Sequence, residues 1–363
     1  MSRICFQIVP PIDRPETPVL ITGNHPALGE WNHLKALKLE WQAPYMVGGF
    51  EAETSFHLEY KITRGNSDCE AVDAYGQVPA TFAQRVDGAA TLQHTVADWK
   101  DRLAGSLANE RIVSRVLGYD RDLMVWLPPS YTKDQFLRFP LIILHHGDHI
   151  FDPSTSIGSG VDWAADEWVN LLARQGVIPE SIVVAVRHPE GVAEANMSRR
   201  DFDLSPEHGG AAYAQFIATE LVPYLDAHYR TIPRAESRIL GGAALGGLHT
   251  FYTALNHPGV FSKFLCLSTS FEDVSQSLPN NSAQLLALED CQELPPNIRI
   301  FFDYGDQGLD ECYEGYHALL GSLLREKGWT DGKEFTIQRI PGGAHNDLSW
   351  RSRLGNAIRF VVR

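Results

Sequence analysis

The sequence predicts two domains, an all-β sandwich followed by an α/β domain with a largely parallel sheet. Residues 1–100 contain short strand-like runs separated by Pro, Gly, Asn and Asp clusters, with no helical period between them. From residue 111 onward, apolar strand-like runs alternate with amphipathic helical segments. A glycine-rich strand-to-helix turn lies at residues 239–248 (ILGGAALGGL). A length of 363 residues also suits two domains better than one.

The charge, the apolar runs and the cysteines of the sequence indicate which kinds of partner and location to expect. The formal net charge is −14, from 31 Lys and Arg against 45 Asp and Glu, which argues against a nucleic-acid or anionic-membrane partner. No apolar run approaches the roughly 20 residues of a membrane span. The first ten residues (MSRICFQIVP) suit a β-strand better than a signal peptide. Because the five cysteines are scattered and odd in number, we expect reduced thiols and a cytoplasmic location.

The first domain has strand-like runs at residues 4–9, 18–22, 55–62 and 90–96. Short strands at this spacing predict an immunoglobulin-like antiparallel β-sandwich over residues 1–100. A polar stretch at residues 101–110 predicts a linker to the second domain at 111–363.

Two segments of the first domain are more specific, residues 22–31 (TGNHPALGEW) and 58–62 (LEYKI). Together they resemble the starch-binding carbohydrate module over residues 3–97. The resemblance implies that Trp31 stacks on a glucose ring and that Lys61 hydrogen-bonds sugar hydroxyls, so an α-glucan is the candidate ligand. Residues 68–70 (DCE) replace the Trp-Glu step that would supply a second stacking ring. The alternative is that Trp31 is a packed turn residue of a scaffold or dimerisation domain; the oligomeric state stays open.

The second domain alternates strands and helices. Residues 139–147 (FPLIILHHG) and 181–186 (SIVVAV) are continuous apolar runs, as expected for strands buried on both faces of a parallel sheet. Residues 213–229 predict a long helix that Pro223 bends.

The glycine-rich turn fits the nucleophile-elbow frame G-x-S-x-G at residues 242–246 (GAALG), which predicts an α/β-hydrolase fold. In that frame the serine position holds Ala244. The elbow is therefore present and its nucleophile is absent.

The remaining catalytic groups follow from the chain order of serine hydrolases, in which the acid precedes the histidine. After the last predicted strand, residues 341–347 (PGGAHND) place His345 in a glycine-rich turn, where an imidazole can accept and return a proton. The acid should follow the preceding strand. We prefer Asp310, with Asp306 second, whereas Asp303 lies inside the strand and is interpreted as structural.

An oxyanion hole needs two backbone N–H groups. We expect them from Leu245, which follows the nucleophile position, and from Asp148 in the loop after the third strand. His145, His146 and His149 lack carboxylate partners at metal-ligand spacing, so we expect neither a metal nor an organic cofactor.

This half of the chain resembles an esterase family that holds enterochelin esterases, feruloyl and acetyl-xylan esterases and S-formylglutathione hydrolases. The resemblance rests on residues 127–131 (LPPSY), 146–147 (HG), 199–202 (RRDF), 220–224 (ELVPY), 242–247 (GAALGG) and 343–345 (GAH). It is strongest for the enterochelin-esterase branch, which also carries an N-terminal β-sandwich. It implies a nucleophile at position 244, His345 as base and Asp310 as acid.

Two explanations of Ala244 compete. In the first, the chain is an inactive Ser→Ala form of a serine carboxylic-ester hydrolase, acting on an acylated sugar or glucan or, alternatively, on a siderophore ester. In the second, it is a natural non-catalytic pseudohydrolase that binds a glucan or a protein. Since the glycines, His345 and the acid and oxyanion loops all keep their pattern, we prefer the first. The chain should bind ligand and be nearly inactive.

Overall fold

A computed structural model of the chain describes residues 2–10, 18–53, 55–73, 78–100, 105–132, 135–156, 158–193, 197–271, 285, 288 and 295–362. The chain forms two compact units, Met1–Gly105 and Ser106–Arg363. Among the described residues, no helix combines the length and the apolar character needed to cross a bilayer. Cys5, Cys266 and Cys312 are free thiols, and Cys291 lies outside the described residues.

The first unit is a β-sandwich, which confirms the predicted fold of this region. The prediction that it is antiparallel is wrong for one pair, because strand Ser2–Val9 runs parallel to strand Ala90–Thr95. Its main sheets have the orders β4-β5-β1-β9 and β3-β2-β6-β8, and β10 pairs with β7 in a small third sheet. The strands are β1 (Ser2–Val9), β2 (Leu20–Gly23), β3 (Leu37–Lys38), β4 (Glu40–Gln42), β5 (Tyr45–Ala52), β6 (Ser55–Thr63), β7 (Ala71–Val72), β8 (Phe82–Asp87), β9 (Ala90–Thr95) and β10 (Asp98–Trp99).

The core of the sandwich follows the two-residue period of its strands. In β6, Leu58, Tyr60 and Ile62 are buried in the core cluster. Lys61 lies between two of these core residues, so the alternation of the strand directs its side chain away from the core.

The second unit is built on one eight-stranded sheet of order β11-β12-β14-β13-β15-β16-β17-β18. The pairs β11–β12 and β12–β14 are antiparallel, and the five remaining pairs are parallel. This arrangement confirms the α/β-hydrolase fold. The strands are β11 (Ser106–Val113), β12 (Asp120–Leu127), β13 (Leu141–Leu144), β14 (Ile182–Val186), β15 (Arg238–Ala243), β16 (Lys263–Leu267), β17 (Arg299–Gln307) and β18 (Phe335–Ala344).

Helices connect and cover the strands of this sheet. Within the described part of the chain the α-helices are α1 (Ala165–Arg174), α2 (Arg199–Leu204), α3 (Gly210–Phe216), α4 (Val222–His228), α5 (Leu245–Asn256), α6 (Glu314–Glu326) and α7 (Asp347–Val362). In β13, Leu141 and Ile143 belong to one core cluster, whereas Ile142 and Leu144 belong to another. The strand is therefore buried on both faces, which explains its uninterrupted apolar sequence.

The predicted linker is wrong at residues 106–110. These residues form the first part of β11, which pairs antiparallel with β12 from Ser106↔Leu127 to Val113↔Asp120. An edge strand keeps much of its surface in solvent, so its polar composition is like that of a linker. Residues 101–104 lie outside the described residues.

The predicted long helix contains a local change of winding. Between α3 and α4, residues Ile217–Leu221 form a π-helical turn, and Pro223 lies in the first turn of α4. Proline has no N–H to donate to the preceding turn, and a π-turn is one way for a helix to absorb the missing bond.

Candidate active site

The turn between β15 and α5 consists of a single residue. Ala244 has φ 53° and ψ −124°, a conformation that costs a residue with a side chain free energy. Its N–H donates to the carbonyl oxygen of Leu267 at 3.0 Å, at the end of the neighbouring strand β16. The surrounding structure therefore holds the strained turn in place, whichever side chain residue 244 carries.

Glycine is required on both sides of this turn by close approach of the backbone. A Cβ on Gly242 would lie 2.7 Å from the carbonyl carbon of Gly246, and one on Gly246 would lie 2.6 Å from Nε2 of His146. Any larger residue at either position would push the start of α5 away from β15 or from the His146 loop. The glycine pattern in the sequence thus marks a packing constraint that remains in force although residue 244 is alanine.

Asp310 and His345 form a hydrogen-bonded pair. Asp310 lies in the 3-10 helix Gly308–Tyr313 that follows β17, and His345 directly follows β18. Their side chains meet at 2.7 Å between Oδ1 of Asp310 and Nδ1 of His345. The carboxylate is fully buried, whereas the imidazole is 18% exposed. Because Nδ1 of the ring is bound to a buried carboxylate, Nε2 is the nitrogen that can accept and return a proton.

The second oxygen of Asp310 is equally well bound. Oδ2 accepts hydrogen bonds from the Ser268 hydroxyl at 2.6 Å and from the Gly305 N–H at 2.8 Å. Burial opposes ionisation of this carboxyl, but the hydrogen bonds from His345, Ser268 and Gly305 hold its pKa below the usual value. Asp310 is therefore an anion at neutral pH.

The other two aspartates of this region have different partners. Oδ1 of Asp306 accepts from the Gly342 N–H at 2.8 Å, and its Oδ2 lies 3.3 Å from Arg339. Asp303 is buried inside β17, accepts from the Ser268 N–H at 2.9 Å, and lies 3.3 Å from Arg353. Burial raises the pKa of Asp303 to about 6, although Arg353 opposes the shift. Of the three aspartates, Asp310 is the one that hydrogen-bonds His345 among the described contacts.

Sequence reasoning missed the residues that hold this pair. The Ser268 hydroxyl accepts from Nε1 of Trp350 at 2.9 Å and from Nη2 of Arg353 while it donates to Asp310. The Trp350 ring also packs edge-on against His345, with centroids 5.1 Å apart. One signal was available for Ser268, because it follows β16 at the carboxyl edge of the sheet, where sites of α/β folds lie.

A short series of contacts links position 244 to His345. The Ser270 N–H donates to the Ala244 carbonyl at 3.3 Å, and its hydroxyl lies 2.7 Å from the hydroxyl of Tyr313. The Tyr313 ring in turn packs edge-on against His345, at 5.8 Å between centroids. Ser270 and Tyr313 thus connect position 244 with the Asp310–His345 pair.

The two residues expected to supply the oxyanion donors follow the ends of two adjacent strands, β15 and β13. Leu245 is the first residue of α5, where backbone N–H groups have no partner within the helix. Asp148 lies in the 3-10 turn Gly147–His149 after β13, which pairs with β15. The Asp148 carboxylate accepts from Nε of Arg187 at 2.5 Å.

The three neighbouring histidines have separate partners. Nδ1 of His145 lies 3.2 Å from the Tyr213 hydroxyl, His146 contacts the Ala243 carbonyl, and Nδ1 of His149 lies 3.2 Å from Asp347. Within the described part of the chain, a different group brings three metal-ligating atoms within 4.8 Å of one another, namely Asp162, Asp166 and Glu167. Asp162 is already bound to Arg351.

In the first domain, Trp31 and Lys61 have unlike surroundings. Trp31 is 40% exposed and lies in the left-handed region at φ 68°, with its N–H bonded to the Gly23 carbonyl at 2.9 Å. The Lys61 ammonium donates to Oε2 of Glu70 at 2.9 Å, in the segment where the second stacking ring was expected. Among the described contacts, none joins Trp31 to Lys61.

The chain matches two family models. The family described as "Putative esterase" matches residues 114–311, and the starch binding domain matches residues 2–81. The uncharacterized protein YbbA of Bacillus subtilis is 22% identical over 254 residues, covering 67% of this chain and 92% of that protein.

Solved structures with TM-scores above 0.5 share the fold. A ferulic acid esterase is 20% identical and covers 71% of this chain and 98% of its own, with a TM-score of 0.56. The ferric enterobactin esterase of Salmonella typhimurium is 16% identical, and the match covers 94% of this chain and 88% of that protein, with a TM-score of 0.53. A third structure is a serine-to-alanine mutant of the feruloyl esterase module from Clostridium thermocellum, complexed with sinapinate. It is 17% identical, and the match covers 72% of this chain and 89% of that module, with a TM-score of 0.51. The region that matches the starch binding domain precedes the esterase match. Since the esterase model spans more than half of the 363 residues, the chain belongs to the putative esterase family.

Proposed function

We propose that the α/β domain is a carboxylic-ester hydrolase whose nucleophile position holds Ala244, so that this chain binds an ester without forming an acyl-enzyme. The observation that carries the proposal is the 2.7 Å hydrogen bond between the buried Asp310 carboxylate and His345, beside an elbow of the correct conformation. Esterase family membership supports the reaction class.

The form with serine at position 244 would work by acyl transfer. His345 takes the hydroxyl proton on Nε2 as the serine oxygen attacks the ester carbonyl, and Asp310 stabilises the imidazolium through Nδ1. The N–H groups of Leu245 and Asp148 bind the negative oxygen of the tetrahedral intermediate. His345 then gives its proton to the leaving alcohol, and water attacks the acyl-enzyme by the same route.

Alanine at position 244 removes the attacking oxygen and leaves the rest of the site. The elbow glycines and the Asp310–His345 pair do not depend on that oxygen, so ligand binding should survive. The sinapinate complex of the serine-to-alanine feruloyl esterase mutant supports this expectation, since that protein binds its ligand with such a change.

For the substrate we propose an acylated sugar or glucan. The starch-binding domain and the exposed ring of Trp31 support this class, because they would bring a glucan chain to the same protein. A siderophore ester is the second candidate, favoured by the enterobactin esterase structure that matches both domains. We also propose a cytoplasmic location, which the free thiols of Cys5, Cys266 and Cys312 support.

The test is hydrolysis of a short-chain p-nitrophenyl ester by this chain and by Ala244→Ser. Because loss of a serine nucleophile typically costs about 10⁶ in kcat, we expect Ala244→Ser to gain roughly 10⁴-fold or more. Ala243→Ser is the matched control, since its hydroxyl lies one residue away from the elbow turn, and it should stay inactive. If Ala244→Ser also fails to hydrolyse esters, the chain is a natural pseudohydrolase that binds a glucan or a protein.

A further inference from the structure

We propose that Arg200 and His146 are positioning residues, in which Arg200 holds the His146 ring and His146 holds both the elbow and the loop that carries Asp148. The inference deepens the proposed function, on which it rests, because it concerns the two backbone donors at position 244. It assigns a role to the residue 199–202 (RRDF) segment, which the reaction above does not use.

The contacts of the His146 side chain define this role. Its Nε2 lies 2.9 Å from the carbonyl oxygen of Ala243, the residue just before position 244. Its Nδ1 lies 3.0 Å from Nε of Arg200, in helix α2. The ring is buried, and it packs at 5.8 Å from the Trp163 ring. A series of three groups therefore runs from α2 to the elbow.

The donor and acceptor roles in this series are fixed by chemistry. A carbonyl oxygen can only accept, so Nε2 of His146 must carry a hydrogen. A guanidinium can only donate, so Nδ1 must present its lone pair. Burial, together with the charge of Arg200, holds the pKa of His146 well below its usual value, which keeps the ring neutral. Arg200 thus selects the tautomer that can bind the elbow.

The backbone of His146 fixes the second donor. His146 has φ 65° and ψ 43°, the left-handed region that residues other than glycine seldom occupy. Its carbonyl accepts from the His149 N–H at 2.8 Å, which closes the turn that contains Asp148. A Cβ on the following residue, Gly147, would lie 2.6 Å from the backbone nitrogen of Arg187, so the turn also packs closely against the backbone of Arg187.

One side chain consequently sets the separation of the two N–H groups. A shift of the His146 ring would move the Ala243 carbonyl, and with it the Leu245 N–H, relative to the Asp148 turn. Donors of this kind stabilise charge that develops in the transition state, and loss of one costs about 10²–10³ in kcat. Weakened positioning should therefore lower kcat more than it raises KM.

The activity test compares two arginines of the same helix in an Ala244→Ser background. Arg200→Gln should lower kcat about 10- to 100-fold with KM changed less than about threefold. Arg199→Gln removes the same charge from the same helix, but Arg199 packs over the Tyr119 ring at 4.7 Å, so kcat should be unchanged. Equal losses in the two variants, or a rise in KM in place of the fall in kcat, would overturn the proposal.

A second readout does not depend on activity. In this chain, ¹⁵N NMR of labelled histidine should identify His146 as the Nε2–H tautomer, with a hydrogen-bonded proton signal that Arg200→Gln removes or broadens and Arg199→Gln leaves in place. An Nδ1–H tautomer, or a His146 proton signal that is the same with and without Arg200→Gln, would contradict the positioning role. If Ala244→Ser is inactive, the proposed function fails, and this NMR result still decides whether Arg200 orients His146.

Discussion

The two predicted sites of this chain differ in how completely the fold prepares them. In the α/β domain, Asp310 and His345 meet at 2.7 Å, and both carboxylate oxygens are bound before any ligand arrives. In the sandwich, the Lys61 ammonium is bound to Glu70, and Trp31 offers a ring that is 40% exposed. The side chains of the first site are held by buried hydrogen bonds, whereas Trp31 of the second site is partly exposed.

The difference indicates where binding specificity and chemistry reside. Buried hydrogen-bond networks hold catalytic groups in position without reorganisation, which is what acyl transfer requires. A single exposed aromatic ring holds a ligand weakly and with little demand on orientation. We therefore expect large effects from changes near position 244 and small ones from changes near Trp31.

The largest effect should come from the acid. In the Ala244→Ser background, Asp310→Asn should lower kcat by about 10³–10⁴, because the amide cannot stabilise the imidazolium and favours the wrong tautomer. Asp306→Asn is the matched control, since Asp306 lies four residues earlier, near the end of β17, and binds Gly342 and Arg339. Ester hydrolysis by the two variants measures the difference. Equal losses would contradict the assignment of the acid.

A smaller effect concerns stability in acid. Burial lowers the pKa of His188 and His317 to about 4 and that of His249 to about 3, and all three lie in the α/β domain. The unfolded chain binds protons near pH 6.5, whereas the folded rings stay neutral, so the free energy of unfolding falls as pH decreases from about 6.5 to 4. Each ring contributes about 1.4 kcal/mol per pH unit over that window. Urea denaturation at pH 7, 6 and 5 measures the slope.

The control for this prediction is His317→Gln. The glutamine amide can still donate to the Tyr313 carbonyl, which lies 2.9 Å from Nδ1 of His317, but it does not titrate. The slope of the free energy of unfolding against pH should fall by up to about 1.4 kcal/mol per pH unit relative to the unchanged chain, which corresponds to one proton. A slope that does not change would mean that His317 is charged in the folded state or that the unfolded chain does not protonate it.

The smallest effect should be on glucan binding by the sandwich. Trp31→Ala should weaken the affinity for a soluble α-glucan by roughly two- to tenfold, since an aromatic contact contributes about 0.5–1.5 kcal/mol. Leu34→Ala removes another exposed apolar side chain of the same region, 96% exposed, and should leave affinity unchanged. Isothermal titration compares the two variants. Undetectable binding by the unchanged chain would leave the sandwich as a scaffold.

The elbow and the two domain folds could be predicted from sequence because each depends on a local pattern. Glycines at positions 242 and 246 mark the close approach at the turn, and uninterrupted apolar strands mark a sheet that is covered on both faces. The boundary at residues 106–110 could not be predicted, because an edge strand carries polar residues like those of a linker.

The residues that hold Asp310 and His146 in place could not be predicted from the sequence. Ser268 and Arg353 contact Asp310 across 42 and 43 residues of sequence. The place of Ser268 after a strand indicates the edge of the sheet on which it lies, but it does not identify its partner. The choice between Asp310 and Asp306 likewise depends on which of the two carboxylates faces His345 in the folded chain. The contact between Arg200 and His146 joins a helix and a loop that are 54 residues apart. Such pairs become visible only when the tertiary fold is known.

In the proposed function, residue 244 occupies the position of a nucleophile whose oxygen is missing. The most direct measurement is labelling with a fluorophosphonate, followed by mapping of the modified residue by mass spectrometry, on this chain, Ala244→Ser and Ala243→Ser. We predict stoichiometric labelling of residue 244 in Ala244→Ser and none in the other two proteins. An unlabelled Ala244→Ser, or equal labelling of this chain at another residue, would contradict the claim.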